Sequence, residues 1–195
     1  MKIEYEAKFT NIDKDEMRLK LKDVGANLVR PEFLQKRVVF NLPEGHKLKD
    51  SRSWIRVRDE GDKITMSLKV VDGYKIENQK ELCLEVNSLK EAESFLTTIG
   101  CRKKSYQETK RELWILDNVE VNIDEWPFLE PFIEVEGESE QKVKQVCEKM
   151  KLDYSKALFC AVGPLYKRKY NISLDVINNK TPRIVFGEKN PFLKS

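Results

Sequence analysis

Two glutamates and a lysine alternate near the start of the chain, in the sequence Glu4-Tyr5-Glu6-Ala7-Lys8. In an extended segment, residues two apart point to the same face, so Glu4, Glu6 and Lys8 share one face. Two carboxylates about 7 Å apart can bind a divalent metal, and a neighbouring ammonium group can bind the anion that the metal holds. A strand with one solvated face has the same alternation, so this segment alone does not define a site.

Charged residues recur on one face of the later predicted strands, and their sign depends on the strand. Cations along a cleft or tunnel favour a polyanion, because guanidinium groups match phosphate oxygens. Clustered carboxylates favour Mg²⁺ or Mn²⁺, and neither set is stable when buried alone. The carboxylates are Glu4, Glu6, Glu134 and Glu136, with Glu81, Glu85 and Asp124 as accessory candidates, and the cations are Lys8, Arg37, Arg56, Arg58, Lys69 and Arg111.

Cap and turn signals divide the chain into the elements that must position these residues. Asp13 with Glu16 predicts the start of a helix, because the two side chains can each bond the other's backbone amide. Short polar turns at residues 59–62 and 117–118 predict hairpins. The order is about eight strands and three to four helices, arranged β-α-β4-α-β3-α, and its short connections predict antiparallel pairing.

Each predicted strand has one apolar face and one polar, charge-rich face, as in residues 33–40 and 106–116. A flat sheet would expose the polar face to solvent and cover the apolar face with helices. A closed barrel would instead enclose the polar face and place the helices outside. Eight strands can close around a lumen that holds a small ligand. The pattern of the strands is compatible with both arrangements.

Three regions have weaker signals. Residues 41–51 combine proline, glycine and several lysines without apolar periodicity, which predicts a loop or flap. A short helix is predicted around residues 157–162. We expect one domain over residues 1–165 and a C-terminal arm, residues 166–195, that packs on the same domain.

Composition excludes several classes of protein. With a net charge of +3 the chain lacks the electrostatic footprint of a nucleic-acid-binding protein. No apolar run approaches ~20 residues and the N-terminus lacks an apolar signal core, so we expect a cytoplasmic protein without membrane partners, either monomer or homodimer. The four cysteines lack CxxC spacing, which argues against zinc and for reduced thiols.

Several segments together resemble the CYTH, or triphosphate tunnel metalloenzyme, family. Glu4-x-Glu6-x-Lys8 resembles its ExExK signature, and Ile55-Arg56-Val57-Arg58 resembles its LRIR strand. The resemblance covers roughly residues 1 to 165. Further matching elements are Gln35-x-Arg37-x-x-Phe40, Ser67-Leu68-Lys69 and Phe132-Ile133-Glu134-Val135-Glu136-Gly137.

The resemblance implies an α+β fold, an eight-stranded antiparallel closed β-barrel, or tunnel, with helices packed outside. A triphosphate would lie along the tunnel axis. By resemblance, Glu4, Glu6, Glu134 and Glu136 hold Mg²⁺ or Mn²⁺, Glu4, Glu6 and Lys8 take part in catalysis, and Lys8, Arg37, Arg56, Arg58, Lys69 and Arg111 bind the phosphates.

Two positions depart from the family pattern. The sixth strand usually carries a K-x-R pair, but Thr109 stands two residues before Arg111, and Lys110 points to the opposite face of a regular strand. A bulge would be needed to turn Lys110 inward. Cys83 stands where many members carry an acidic residue.

Three functions fit these residues. The leading hypothesis is metal-dependent hydrolysis of inorganic triphosphate or of a nucleoside or thiamine triphosphate. The alternative is a class IV-type adenylyl cyclase, which makes cyclic AMP and pyrophosphate from ATP. A non-catalytic module that binds polyphosphate or nucleotide is a further alternative, although it would gain nothing from four carboxylates of the metal-binding type.

Overall fold

The computed structural model describes residues 1–48 and 52–193. Its strands are β1 (Lys2–Ile3), β2 (Tyr5–Thr10), β3 (Asn27–Asn41), β4 (Arg52–Asp59), β5 (Ile64–Val71), β6 (Gln79–Val86), β7 (Arg102–Leu116), β8 (Val119–Glu125), β9 (Phe132–Gly137) and β10 (Arg183–Ile184). Its α-helices are α1 (Lys14–Asp23), α2 (Leu89–Thr98), α3 (Glu140–Lys149) and α4 (Gly163–Tyr170). Among these helices none has the length and apolar character needed to cross a bilayer.

The strands form one nearly closed antiparallel barrel. Their order is β1-β6-β5-β4-β3-β7-β8-β9-β2, and every neighbouring pair on this path is antiparallel. Only Glu4 separates β1 from β2, so the N-terminal segment pairs with β6 on one side and with β9 on the other. The predicted antiparallel barrel with outer helices is confirmed. The count of described strands on the path is nine rather than eight because the first strand is divided at Glu4.

The apolar core lies between the barrel wall and the helices. One cluster joins Val121 and Val135 of the wall to Leu21 of α1 and Val143 of α3. Because side chains alternate across a strand, burying this outer face directs the charged residues into the lumen. A second cluster packs α2 against the wall and comprises Val38, Phe40, Val57, Ala92, Leu96 and Cys101.

The predicted cap and turns occur where the sequence placed them. The Asp13 carboxylate accepts hydrogen bonds from the backbone amides of Asp15 and Glu16, both at 2.9 Å, at the start of α1. Asp117 and Asn118 both have positive φ, 51° and 63°, as a two-residue hairpin loop of the primed type requires. This turn fixes the register of β7 against β8.

Two strand boundaries and one helix differ from the predictions. β3 begins at Asn27 rather than at residue 33, and its pairing with β7 shifts register on both sides of Arg30, next to Pro31. β7 begins at Arg102 rather than at residue 106. The predicted helix around residues 157–162 is wrong, because Leu158 forms a β-bridge with Lys8 instead. Of the predicted loop at residues 41–51, residues 49–51 lie outside the described residues.

The segment after residue 162 packs against one end of the barrel. α4 is followed by a π-helical turn, Val176–Lys180, and by β10, which pairs in parallel with β7 at Tyr106 and Gln107. β8 has left β7 at this point, since the β7–β8 pairing begins at Lys110. The C-terminal segment therefore extends the sheet where β8 ends.

A candidate active site in the barrel lumen

A cluster of carboxylates lies at one part of the lumen, where β1, β6 and β9 meet. The Nζ atom of Lys69 is 2.9 Å from the Glu4 carboxylate and 3.8 Å from that of Glu81. Burial, a hydrogen bond to Glu81 and the negative charge of Glu136 together raise the pKa of Glu4 to about 7, against the attraction of Lys69. Glu4 therefore carries a proton over part of the neutral range and donates it to Glu81.

The neighbours of Glu4 show the same crowding. Burial raises the pKa of Glu136, against the attraction of Lys69 and with further repulsion from Glu120 and Glu134. Burial would also raise the pKa of Glu81, but the charge of Lys69 and the hydrogen bond from Glu4 lower it to about 2. The cluster thus holds more negative charge than its cations neutralise.

A second group of ion pairs lies on β2, β7, β8 and β9. Lys8 contacts Glu6 and lies 3.1 Å from the Glu134 carboxylate. Arg111 lies 2.6 Å from Glu134 and donates through Nε to Asp124 at 2.7 Å. Burial opposes ionisation of Glu134, but the charges of Lys8 and Arg111 outweigh it and lower its pKa. Two cations thus pair with three carboxylates, and burial with the charge of Glu134 raises the pKa of Asp124 against the attraction of Arg111.

Three arginines crowd together on β3 and β4. Arg37 lies opposite Arg58, and Arg56 is the next residue on the same face of β4. The Nε–H groups of all three are buried, and within the described residues none has a hydrogen-bond partner. Burial and the charges of Arg56 and Arg58 lower the pKa of Arg37, and burial with the charges of Arg56 and Arg111 lowers that of Arg58 to about 10. Arg56 and Arg58 each pair with one carboxylate, at 3.1 Å from Glu81 and at 2.5 Å from Glu60.

Arg37 is held by neutral side chains, whereas Arg56 and Arg58 pair with carboxylates. Its Nη2 group donates to Gln35 Oε1 at 2.8 Å and to Thr109 Oγ1, and Thr109 donates in turn to Gln35 at 3.0 Å. The guanidinium group also stacks on the indole ring of Trp126, 4.6 Å from its centroid. The sequence reasoning did not assign Trp126 a role, because the residue lies beyond the end of β8.

Asn122 is a lumen residue that the sequence reasoning also missed. It is fully buried opposite Glu134, and neither its Oδ1 nor its Nδ2 atom has a partner among the described residues. The signal was present, since Asn122 alternates with Glu120 and Asp124 on β8. The carboxamide of Asn122 thus offers a neutral donor and acceptor in the lumen.

Most of the predicted residues lie in the lumen, with Glu85 as the exception, and the strand carrying Thr109 and Lys110 is regular. Thr109 faces inward, whereas Lys110 lies outside the barrel, 3.7 Å from Glu125 and over the ring of Phe186. The pairing of β3 with β7 is regular here, so no bulge turns Lys110 inward. Glu85 is exposed at the far end of β6 and does not join the carboxylate cluster.

The donor set fits a hard divalent cation by its chemistry. Carboxylate oxygens are the ligands that Mg²⁺ and Mn²⁺ favour, and a doubly charged ion would relieve the repulsion that raises the pKa values of Glu4 and Glu136. Over residues 1–48 and 52–193, no three His, Cys, Asp or Glu side chains are grouped closely enough to hold a metal ion as they stand. Lysines hold Glu4, Glu6 and Glu134 instead.

The fold and the lumen define a class of protein, an antiparallel barrel that encloses a group of carboxylates and a group of arginines. The model of the CYTH domain matches residues 2–160. The chain therefore belongs to the CYTH domain family, as its sequence motifs indicated. Among curated protein sequences there is no significant match.

Solved structures with low identity share the fold. A candidate adenylate cyclase from Vibrio parahaemolyticus has a TM-score of 0.71 at 11% identity, over 84% of this chain and 97% of that one. A protein from Pyrococcus horikoshii has a TM-score of 0.67 at 19% identity, over 81% and 96%. A candidate adenylyl cyclase from Hippeastrum, described as having a dominant triphosphatase activity, has a TM-score of 0.59 at 14% identity, over 89% and 99%.

Proposed function

We propose that this protein is a divalent-metal-dependent hydrolase of a triphosphate compound, either inorganic triphosphate or a nucleoside or thiamine triphosphate. The observation that carries the proposal is the crowding of Arg37, Arg56 and Arg58, whose buried Nε–H groups have no partner within the described residues. Guanidinium groups that repel one another in a buried lumen are stabilised by a polyanion. The adjacent carboxylates favour a metal-dependent enzyme over a module that only binds an anion.

Each charged group has a role in this proposal. Glu4, Glu6, Glu134 and Glu136 would hold Mg²⁺ or Mn²⁺, with Glu81 and Asp124 beside them. When bound, the ion supplies neutralisation of the phosphate charge and an activated water. The phosphate oxygens would be bound by Lys8, Arg37, Arg56, Arg58, Lys69 and Arg111.

The ion pairs within the lumen indicate which side chains would change partners when a phosphate binds. Lys8 and Lys69 pair with carboxylates in the structure, so both lysines must leave these carboxylates to bind phosphate. Arg56 and Arg58 pair with Glu81 and Glu60, so these two arginines would also exchange a carboxylate for phosphate. Catalysis then consists mostly of positioning and of stabilising charge on the transferred phosphoryl group.

The test is an assay of the purified protein with Mg²⁺ or Mn²⁺ against inorganic triphosphate, ATP and thiamine triphosphate. Phosphate release and cyclic AMP are followed separately. Phosphate release without cyclic AMP is the expected result. Formation of cyclic AMP and pyrophosphate would instead support the adenylyl cyclase. Tight binding of triphosphate without turnover would support a non-catalytic binding module.

Arg111 and Lys110 form a matched pair for this assay. They are adjacent and carry the same charge, but Arg111 faces the lumen and Lys110 the outside. We expect Arg111→Ala to lower turnover by at least about tenfold, the effect of losing one charged contact of roughly 1.4 kcal/mol. The Lys110→Ala variant should retain the turnover of the wild type.

The compartment and partners are part of the proposal. The four cysteines, Cys83, Cys101, Cys147 and Cys160, are all free thiols, which supports a reducing, cytoplasmic compartment. The partner we propose is a small triphosphate molecule rather than a nucleic acid or a membrane, and the protein is a monomer or homodimer.

A further inference from the structure

The bend that follows β8 contacts Arg37. Trp126, at the start of this bend, is buried and presents its indole ring to the guanidinium group at 4.6 Å. The backbone then turns, with the amide of Leu129 donating to the Trp126 carbonyl at 3.1 Å. Phe128 has a φ of 67°, in the left-handed region that non-glycine residues avoid. Such a conformation persists only where neighbouring contacts impose it.

The C-terminal segment, residues 163–193, provides those contacts. The Tyr166 hydroxyl donates to the carbonyl of Pro127 at 2.7 Å, and the Tyr170 hydroxyl donates to that of Phe128 at 2.6 Å. Asn190 donates to the Tyr170 hydroxyl at 2.9 Å. Two successive carbonyls of the strained bend are thus bound by side chains of α4.

An apolar cluster joins the same two parts of the chain. The ring of Phe192 lies 4.8 Å from that of Tyr166 and 6.4 Å, edge to face, from that of Phe128. The cluster buries one side of Trp126 against the C-terminal segment. Its buried members are Trp126, Phe132, Leu165, Tyr166, Ile177, Ile184 and Phe192.

Arg37 is consequently fixed from two directions. Gln35 and Thr109 hold its Nη2 edge, and Trp126 holds its flat face. The Nε–H group is the part of the guanidinium that remains without a partner among the described residues. A planar fork that is held in this way loses less freedom when it binds an anion than a freely rotating side chain does.

We propose that the C-terminal segment positions Arg37 for phosphate binding through Trp126, so that Trp126 and Tyr166 are positioning residues for substrate affinity. This inference rests on the proposed function, because it assumes that Arg37 binds phosphate. The family match ends at residue 160, so the segment lies outside the part of the chain that carries the family motifs. It also assigns a task to the predicted arm, residues 166–195.

The test is a double-mutant cycle on the affinity for inorganic triphosphate without metal, measured by calorimetry. The four proteins are the wild type, Arg37→Ala, Trp126→Leu and the double variant. Because Trp126 holds the flat face of the guanidinium group, we expect Trp126→Leu to weaken binding by roughly tenfold. In the double variant, Trp126→Leu should add almost nothing to Arg37→Ala, because it acts through Arg37.

Milder variants separate positioning from folding. Trp126→Phe keeps an aromatic face and should restore most of the affinity lost in Trp126→Leu. Tyr166→Phe removes only the hydroxyl that binds the Pro127 carbonyl, so it should weaken binding without emptying the apolar cluster. Ile177→Val is the matched control, since it removes one methylene group from the same cluster and should lower the melting temperature without changing the affinity.

The outcomes distinguish the two proposals. If Arg37→Ala binds triphosphate as the wild type does, the assignment of Arg37 to phosphate binding fails, and the positioning role fails with it. If Arg37→Ala weakens binding but Trp126→Leu does not, only the positioning role is overturned. Additive effects in the double variant, or an equal loss of affinity in Ile177→Val, would also overturn it. Should Trp126→Leu not fold, Trp126→Phe and Tyr166→Phe are combined with Arg37→Ala instead.

Discussion

Single residues in the lumen differ in whether their charge is balanced within the chain. Glu134 lies between Lys8 and Arg111 and stays ionised. Glu136, two residues further along β9, is half-buried beside other carboxylates and has a pKa raised chiefly by desolvation. Neighbouring residues of one type on one strand therefore differ in their need for an added cation.

Glu136 and Glu138 provide a matched pair for the metal site. Glu136 is in the lumen, whereas Glu138 is exposed and pairs with Lys142 at 2.8 Å. We expect Glu136→Gln to lower metal-dependent turnover by at least about a hundredfold, since loss of a metal ligand or of its support commonly has an effect of this order. Glu138→Gln should leave turnover within about twofold.

Titration of Mn²⁺ followed by electron spin resonance measures binding apart from activity. Glu136→Gln should bind Mn²⁺ more weakly than Glu138→Gln does. Equal Mn²⁺ affinity in the two variants, together with full turnover in both, would remove Glu136 from the metal site.

The elements of the barrel set the distances between these residues. β7 and β8 are joined by a two-residue turn, and their register places Arg111 opposite Asp124. A slip of one residue would exchange the lumen and core faces of β8, including Asn122 and Asp124. The short turn therefore positions part of the site.

Substitution at Asn118 tests this dependence. Because Asn118 has a φ of 63°, Asn118→Gly should be tolerated, whereas the branched side chain in Asn118→Val should destabilise the protein by about 1–2 kcal/mol. Thermal and urea unfolding measure the difference. Equal stability of the two variants would show that the turn does not constrain the hairpin.

The stability of the whole molecule depends on pH through the charged groups of the lumen. The pKa of Glu4 is about 7 in the folded protein, chiefly because of burial, against an ordinary value of 4.5. The folded state therefore binds this proton more tightly than the unfolded state does. The stabilisation is present in full below pH 4.5 and is lost as the pH rises through about 7.

We expect the metal-free protein to lose thermal stability between pH 5 and pH 8, and Glu4→Gln to lose less. Unfolding is measured in a chelating buffer at both pH values. Added Mg²⁺ should raise the melting temperature more at pH 8 than at pH 5, since metal and proton compete for the same carboxylates. An unchanged slope in Glu4→Gln would contradict the assignment of the proton to Glu4.

The ExExK, RVR and EVEG segments were sufficient to predict the family, and the resemblance to that family implied the antiparallel barrel, which the strand pattern alone did not distinguish from a flat sheet. Strand alternation predicted which residues share a face, because each charged face is determined by residues two apart. Family membership and fold were confirmed, while the roles of the site residues stay predictions. The inward Thr109 and outward Lys110 also follow from alternation.

Other features depended on contacts between distant parts of the chain. Because β3 pairs with β7 from Asn27 onward, the strand begins before Pro31 rather than after it. Leu158 pairs with Lys8 and therefore forms a β-bridge rather than part of a helix. The stacking of Trp126 on Arg37 depends on a bend that the C-terminal segment supports. Local periodicity carries no information on such contacts, since their free energy arises only when segments far apart in sequence are packed together.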